Sequence, residues 1–265
     1  MKILFTGGGS GGHFYPIIAV AEEVNRIIKE EKLIAPQLFF ISDSPYDGRA
    51  LAENNIEFVK NSAGKMRKYF SVLNLVDLFK TLVGIISAIL KIYQIYPDVI
   101  FSKGAYASFP ALVAGRLLRI PIVIHESDSA PGRVNKWSGK FAEKIALSYP
   151  DAGGFFDPKK TAFVGNPVRK EIMIPITTGA REFLKLEPDL PVILIMGGSL
   201  GAKTINDVVY DALPALVENY QIIHQTGKNN IKEATQMAEI VLAGNPKKSR
   251  YKPFDYLNNL AIGMS

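Results

Sequence analysis

Short apolar runs recur along this chain, each giving way to a glycine-rich or polar stretch and then to a longer run in which apolar residues return every three or four positions. The runs at 2–6, 37–42, 56–60, 98–102, 121–125, 144–148 and 161–165 have the length of strands and the β-prone composition that predicts burial on both faces. Helical spacing governs intervening stretches such as 15–31 and 105–118. Buried strands alternating with helices need crossover connections, which predicts an α/β fold built on a parallel sheet. The rhythm breaks at 166–190, where Pro167, Pro175 and Pro188 fall, and resumes with strands at 192–196 and 221–225. The expected organisation is therefore an α/β domain over 1–165, a linker over 166–190 and a second α/β domain over 191–265. That second domain holds only about two strand–helix units, too few for a complete nucleotide-binding domain.

Two strand-to-helix junctions carry glycine-rich turns, KILFTGGGSGGHFYP from Lys2 and PVILIMGGSLGAKTIND from Pro191. Such a turn leaves amide N–H groups unpaired at a helix start, where they and the helix dipole favour an anion. One turn in each domain suits a diphosphate-bearing ligand placed between them.

The stretch 65–97 is the most apolar. Val72, Leu75, Val76, Phe79, Leu82, Val83, Ile86, Ile89, Leu90 and Tyr93 follow helical spacing, and Leu73, Leu78, Ile85 and Ile92 add apolar surface off that stripe. Lys80 and Lys91 leave only a short uncharged interval, so the expectation is a helix that does not span a bilayer. Lys65, Arg67 and Lys68 lie just upstream, and an apolar face with a basic border suits an anionic membrane surface. A core helix with solvated lysines is the alternative.

Composition narrows the chemistry. The 265 residues include no cysteine, which excludes disulfides and thiolate catalysis. A net charge of +6 favours anionic partners, whether nucleic acid, acidic lipid or sugar diphosphate. The first residues read as a strand and loop and not as a secretory leader. Three histidines without carboxylates at ligand spacing predict no metal site.

Gly7, Gly9 and Gly12 fit a dinucleotide-binding pattern, with Asp43 as its ribose-binding acid, but Asp43 lies well beyond the roughly 20 residues that pattern allows. His13 sets the loop apart. At a helix start its imidazole faces whatever fills the cleft, and the helix N-terminus tends to lower its pKa and keep it available as a base. A histidine that only caps the helix or orients a ligand is the other reading.

The runs GGGSGGHFYP, SKGAYASFP from Ser102, HESDSAPGRVNKW from His125, GNPVR from Gly165, GGSLGA from Gly197 and HQTGK from His224 follow one another in an order that resembles the MurG family. The resemblance covers essentially the whole chain. That family comprises the peptidoglycan N-acetylglucosaminyltransferases that convert lipid I to lipid II. It implies a GT-B fold of two Rossmann-like domains with parallel sheets, the second incomplete here, with the acceptor mainly in the first domain and UDP-GlcNAc mainly in the second. It implies that Ser10, Gly11 and Gly12 lie near the diphosphates, that Arg169 and Ser199 reach the donor, and that Tyr106, Ser108, Asp128 and Asn135 border the acceptor. Ala105 replaces one of the family's paired glycines, and Asp128 stands where many members have Asn.

The reaction so implied is a single inverting displacement in which the C4 hydroxyl of the muramoyl sugar attacks C1 of GlcNAc as UDP leaves. His13 is the first choice of base and Glu126 the second. No metal and no cofactor are implied. The implied partners are UDP-GlcNAc, lipid I and an anionic inner-leaflet surface touched by Leu75, Phe79 and Leu82, with no nucleic acid. The implied location is peripheral, on the cytoplasmic face of the bacterial plasma membrane. Family members continue beyond the position matching Ser265, so the chain reads as a fragment expected to bind UDP-GlcNAc weakly and turn over little. Structural alternatives are Glu126 capping a strand end, Arg169 pinning the linker, and His125 and His224 packed at strand ends. Two other functions stay open, a lipid-precursor or membrane-surface module without catalysis and a nicotinamide-dependent enzyme.

Overall fold

A computed structural model describes residues 1–64, 73–173, 179–198 and 201–255, with backbone alone for 73–75 and 180. The chain divides into two compact units, Met1–Arg169 and Lys170–Ser265.

The first unit is a seven-stranded sheet of β1 (Lys2–Thr6), β2 (Gln37–Ser42), β3 (Ile56–Lys60), β4 (Val99–Ser102), β5 (Ile122–Glu126), β6 (Lys144–Leu147) and β7 (Thr161–Phe163). All neighbours pair in parallel, in the order β3-β2-β1-β4-β5-β6-β7. Side chains alternate across the sheet, so each strand feeds two cores. From β1, Leu4 joins Ile100, Ile124 and Leu112 on one face, while Ile3 and Phe5 join Phe14, Ile17 and Phe40 on the other. The second face is covered by α1 (Gly11–Glu30) and α2 (Gly48–Glu53), the first by α3 (Leu73–Ile95) and α4 (Phe109–Leu117). Two apolar faces explain the unbroken apolar runs in the sequence. Each buried Leu or Phe contributes about 1.5–3 kcal/mol.

This order reverses between β1 and β4. The loops leaving the two strands diverge there and open a crevice at their carboxyl ends, where ligands bind in sheets of this kind.

Helix α3 has two faces. Ala88 and Ile92 are fully buried in the core, and the Asn61 side-chain amide donates to the Gly84 carbonyl at 3.0 Å. Opposite them, Phe79, Leu82, Val83, Ile86, Leu90 and Tyr93 form an exposed stripe, Phe79 at 63%. By length and composition alone the portion Val76–Ile95 is apolar enough to cross a membrane, despite Asp77, Lys80 and Lys91. Its inner face nevertheless belongs to the core of the unit.

In the second unit, single-turn helices α5 (Lys170–Met173) and α6 (Ala180–Phe183) precede β8 (Val192–Met196), α7 (Lys203–Asn219), β9 (Gln221–Gln225), α8 (Ile231–Val241) and β10 (Tyr251–Phe254). The three strands pair in parallel in the order β10-β9-β8. The Gln225 side chain donates to the Gly198 carbonyl at 3.0 Å and so braces the second glycine turn. Beneath it lies a buried polar group, with His224 bonded to the Tyr251 hydroxyl at 2.9 Å and to Asn206 Oδ1 at 3.1 Å.

Candidate active site

The first glycine turn starts α1 through Ser10, which has extended backbone and whose carbonyl accepts from the N–H groups of His13 and Phe14. The Ser10 hydroxyl does not cap the helix. It lies 2.9 Å from His13 Nδ1, so the first-turn amides of Gly11 and Gly12 get no side-chain acceptor from it. Gly9, at φ 83°, lies against the Tyr106 ring, and a Cβ added there would come within 2.9 Å of it. The Tyr106 hydroxyl donates to Asp43 at 2.8 Å. Asp43, considered above as a ribose ligand, thus fixes Tyr106, whose own ionisation is pushed up by burial and by that bond.

The turn after β4 is tight. Gly104, at φ 80°, packs so closely on Asn135 that an added Cβ would sit 2.7 Å from its Oδ1. Ala105 follows at φ 67° and ψ 169°, a region otherwise kept almost entirely for glycine, so the family's second glycine is replaced here at the cost of local strain. Ser108 is fully buried and its hydroxyl donates to the Ala105 carbonyl at 2.8 Å. That bond shapes the turn, and Ser108 is not among the residues lining the cavity described next.

A cavity of about 490 Å³ opens among these loops, bringing together His13, Lys103, Tyr106, Glu126, Asp128 and Asn135. Burial, helped by the Lys103 ammonium, holds the His13 imidazole below its ordinary range against the opposing carboxylates of Asp128 and Glu126. The direction matches the sequence expectation, with burial and not the helix end as its largest cause.

Glu126 ends β5 and is 4% exposed. Its Oε1 accepts from the N–H groups of Ser127 (2.8 Å) and Asp128 (3.0 Å), its Oε2 from Gly132 N–H and the Asn135 side-chain amide, both at 3.0 Å. Four donors fill the acceptor capacity of a carboxylate. This geometry anchors the loop 127–135 and commits both carboxylate oxygens to the donors of that loop. Asn135 also donates to the His125 carbonyl at 3.0 Å. Asp128 is exposed at the cavity.

Lys103 is the residue that sequence reasoning missed. It is 2% exposed, directly follows β4, and its ammonium donates to Ser127 Oγ at 2.7 Å. The available signal was a lysine at the carboxyl end of a buried strand beside the sheet's reversal. Arg169 does not line this cavity, and its guanidinium stacks 3.7 Å from the centre of the Tyr15 ring. Ser199 and the segment 65–72 lie outside the described residues, as does the Leu75 side chain, whereas Phe79 and Leu82 are exposed. His125 and His224 are buried, His125 at 3.1 Å from the Gly165 carbonyl. Among the described residues no group of metal-ligating side chains occurs.

The parallel sheets and their glycine turns define an α/β fold of the GT-B type. The chain has a TM-score of 0.64 to the structure of Acinetobacter baumannii MurG, at 24% identity over 98% of this chain and 69% of that one. It has a TM-score of 0.66 to UDP-GlcNAc 2-epimerase from Neisseria meningitidis, solved with UDP-GlcNAc, at 14% identity over 100% of this chain and 75% of that one. Residues 3–147 match the glycosyltransferase family 28 N-terminal domain and residues 192–265 its C-terminal domain. The chain belongs to glycosyltransferase family 28, within the MurG group. It is 37% identical, over 97% of its length and 68% of the relative's, to UDP-N-acetylglucosamine–N-acetylmuramyl-(pentapeptide) pyrophosphoryl-undecaprenol N-acetylglucosamine transferase 3 of Bacillus thuringiensis. Identity to the transferase of the same description in Treponema denticola is 32%, over 96% of this chain and 67% of the relative.

Proposed function

We propose that this protein transfers GlcNAc from UDP-GlcNAc to the C4 hydroxyl of the muramoyl sugar of lipid I, giving lipid II for peptidoglycan synthesis. The observation that carries this reading is the Ser10–His13 pair at the β1/β4 reversal, in a chain whose relatives are named for that transfer. With Nδ1 protonated and donating to Ser10, the imidazole presents Nε2 as the acceptor. The acceptor hydroxyl attacks C1 of GlcNAc, and its proton passes to Nε2. The bond from C1 to the diphosphate oxygen breaks, and its electron pair leaves on UDP. General-base help of this kind contributes about 10²- to 10⁴-fold.

In this scheme the amides of Gly11 and Gly12 meet a diphosphate at the start of α1, Tyr106, Asp128 and Asn135 shape the acceptor pocket, and Glu126 holds the loop carrying Asp128. Ser199 meets the donor diphosphate in the second unit, and Arg169 stacks on Tyr15 as the anchor of the segment that joins the units. The exposed stripe of α3 supports a peripheral seat on the anionic inner leaflet of the plasma membrane, with Phe79 and Leu82 among its contacts. The test is incubation of the protein from its complete reading frame with labelled UDP-GlcNAc and a lipid I analogue. The reading expects label in the lipid product, and UDP release without glycosylated lipid contradicts it.

A further inference from the structure

Lys103 has no part in the transfer scheme above, yet it is the most conspicuous charge in the cavity. Its N–H donates to the Thr6 carbonyl at 2.9 Å, tying the end of β4 to the end of β1. Its stem lies against Gly7, where an added Cβ would be 3.1 Å from Lys103 Cβ and 3.2 Å from the His13 carbonyl oxygen, so Lys103 and His13 flank the same glycine. The ammonium has three donors, and among the described residues it makes one hydrogen bond, to the neutral Ser127 hydroxyl, and no ion pair. Glu126 is filled by four other donors, and Asp128 stands exposed. A buried cation with one neutral partner is costly to maintain and is stabilised when an anion completes it. Arg133 borders the same cavity and adds positive charge there.

We propose that Lys103 is a diphosphate contact of this site, its two remaining N–H donors taking non-bridging oxygens of the ligand. The inference rests on the transfer reading above for the identity of that ligand. Diphosphate is common to the lipid-linked acceptor and to UDP, and the place of Lys103 beside Tyr106 and Asp128 in the first unit selects the acceptor. Burial already pulls the ammonium below its ordinary range against the pull of Glu126 and Asp128, which is the state an incoming anion relieves.

Calorimetric titration of inorganic pyrophosphate, a short-chain prenyl diphosphate and UDP into the full-length protein tests this. Lys103→Met is expected to weaken pyrophosphate and prenyl diphosphate by about 10- to 100-fold and leave UDP unchanged, with Lys103→Arg within a few-fold of wild type. Ser127→Ala removes the tether without the charge and is expected to keep both affinities. Weakening of pyrophosphate and UDP but not of prenyl diphosphate would keep the contact and move it to the donor. If a folded Lys103→Met protein binds all three ligands as wild type does, the proposal is overturned and Lys103 is only a tether for the 127 loop. Should that variant not fold, Lys103→Gln, which removes the charge and keeps a polar N–H donor, replaces it with the same expectations. The transfer assay separates the two readings. Transfer with Lys103-independent diphosphate binding defeats only this inference, and Lys103-dependent binding without transfer defeats only the proposed reaction.

Discussion

Ser10 Oγ lies 2.9 Å from His13 Nδ1, one turn apart at the start of α1, and in the proposed tautomer, with Nδ1–H donating to that hydroxyl, Nε2 is left to accept a proton. Ser10→Ala should lower kcat by about tenfold with little change in acceptor KM, because the base loses its orientation and tautomer but remains present. The pH profile carries a second signature. With its pKa held below the ordinary value of 6.5, His13 stays neutral at pH 7 and kcat/KM should fall only as the pH drops below that value. Lys103→Met removes a nearby positive charge, so the acid limb should move up in pH. An unmoved limb would show that it reports another group.

Glu126 offers a contrast between anchor and base. Glu126→Ala leaves three backbone N–H groups and the Asn135 amide without their acceptor and should cost about 2–4 kcal/mol in urea unfolding. Glu126→Gln should also destabilise, because its NH₂ group faces donors. A Gln variant with wild-type stability and a large loss of kcat would restore Glu126 as the base.

His224 couples the second unit to pH. Burial lowers its pKa to about 4, so the unfolded chain, with an ordinary histidine near 6.5, takes up the proton first as the pH falls. Its contribution is complete above about pH 6.5 and is lost between there and about pH 4, amounting to roughly 3 kcal/mol. Urea midpoints measured from pH 7.5 to 4 should fall over that window, and His224→Gln should flatten the decline.

Much of the fold was legible because its strands are buried on both faces. β1, β2, β3, β8 and β9 begin and end where the apolar runs do, since the run length is set by the sheet itself. β10 escaped notice because Lys252 and Pro253 break its apolar run, and its place at the sheet edge tolerates both. His13 was legible from its position after the glycines. The filling of Glu126 was not, because its donors at 127, 128, 132 and 135 converge only once the loop has folded. Lys103 was hidden for a similar reason, as burial of a lysine depends on what three separate loops place around it.

The exposed face of α3 predicts membrane binding that can be weakened without unfolding. Phe79→Ser with Leu82→Ser should reduce sedimentation with anionic vesicles at least severalfold, because both side chains are exposed and each gives up apolar contact with the bilayer. Unchanged sedimentation by the folded double variant would remove this face from the membrane contact.

The role of His13 as the base is tested most directly by single-turnover transfer of labelled GlcNAc from UDP-GlcNAc to a lipid I analogue, comparing wild type with His13→Ala in the protein from its complete reading frame. The account predicts product formation by the wild type and a rate lower by about 10²-fold or more in the variant, with acceptor affinity held within a few-fold. A variant that transfers at the wild-type rate once acceptor is saturating would contradict it, leaving His13 as a binding residue only.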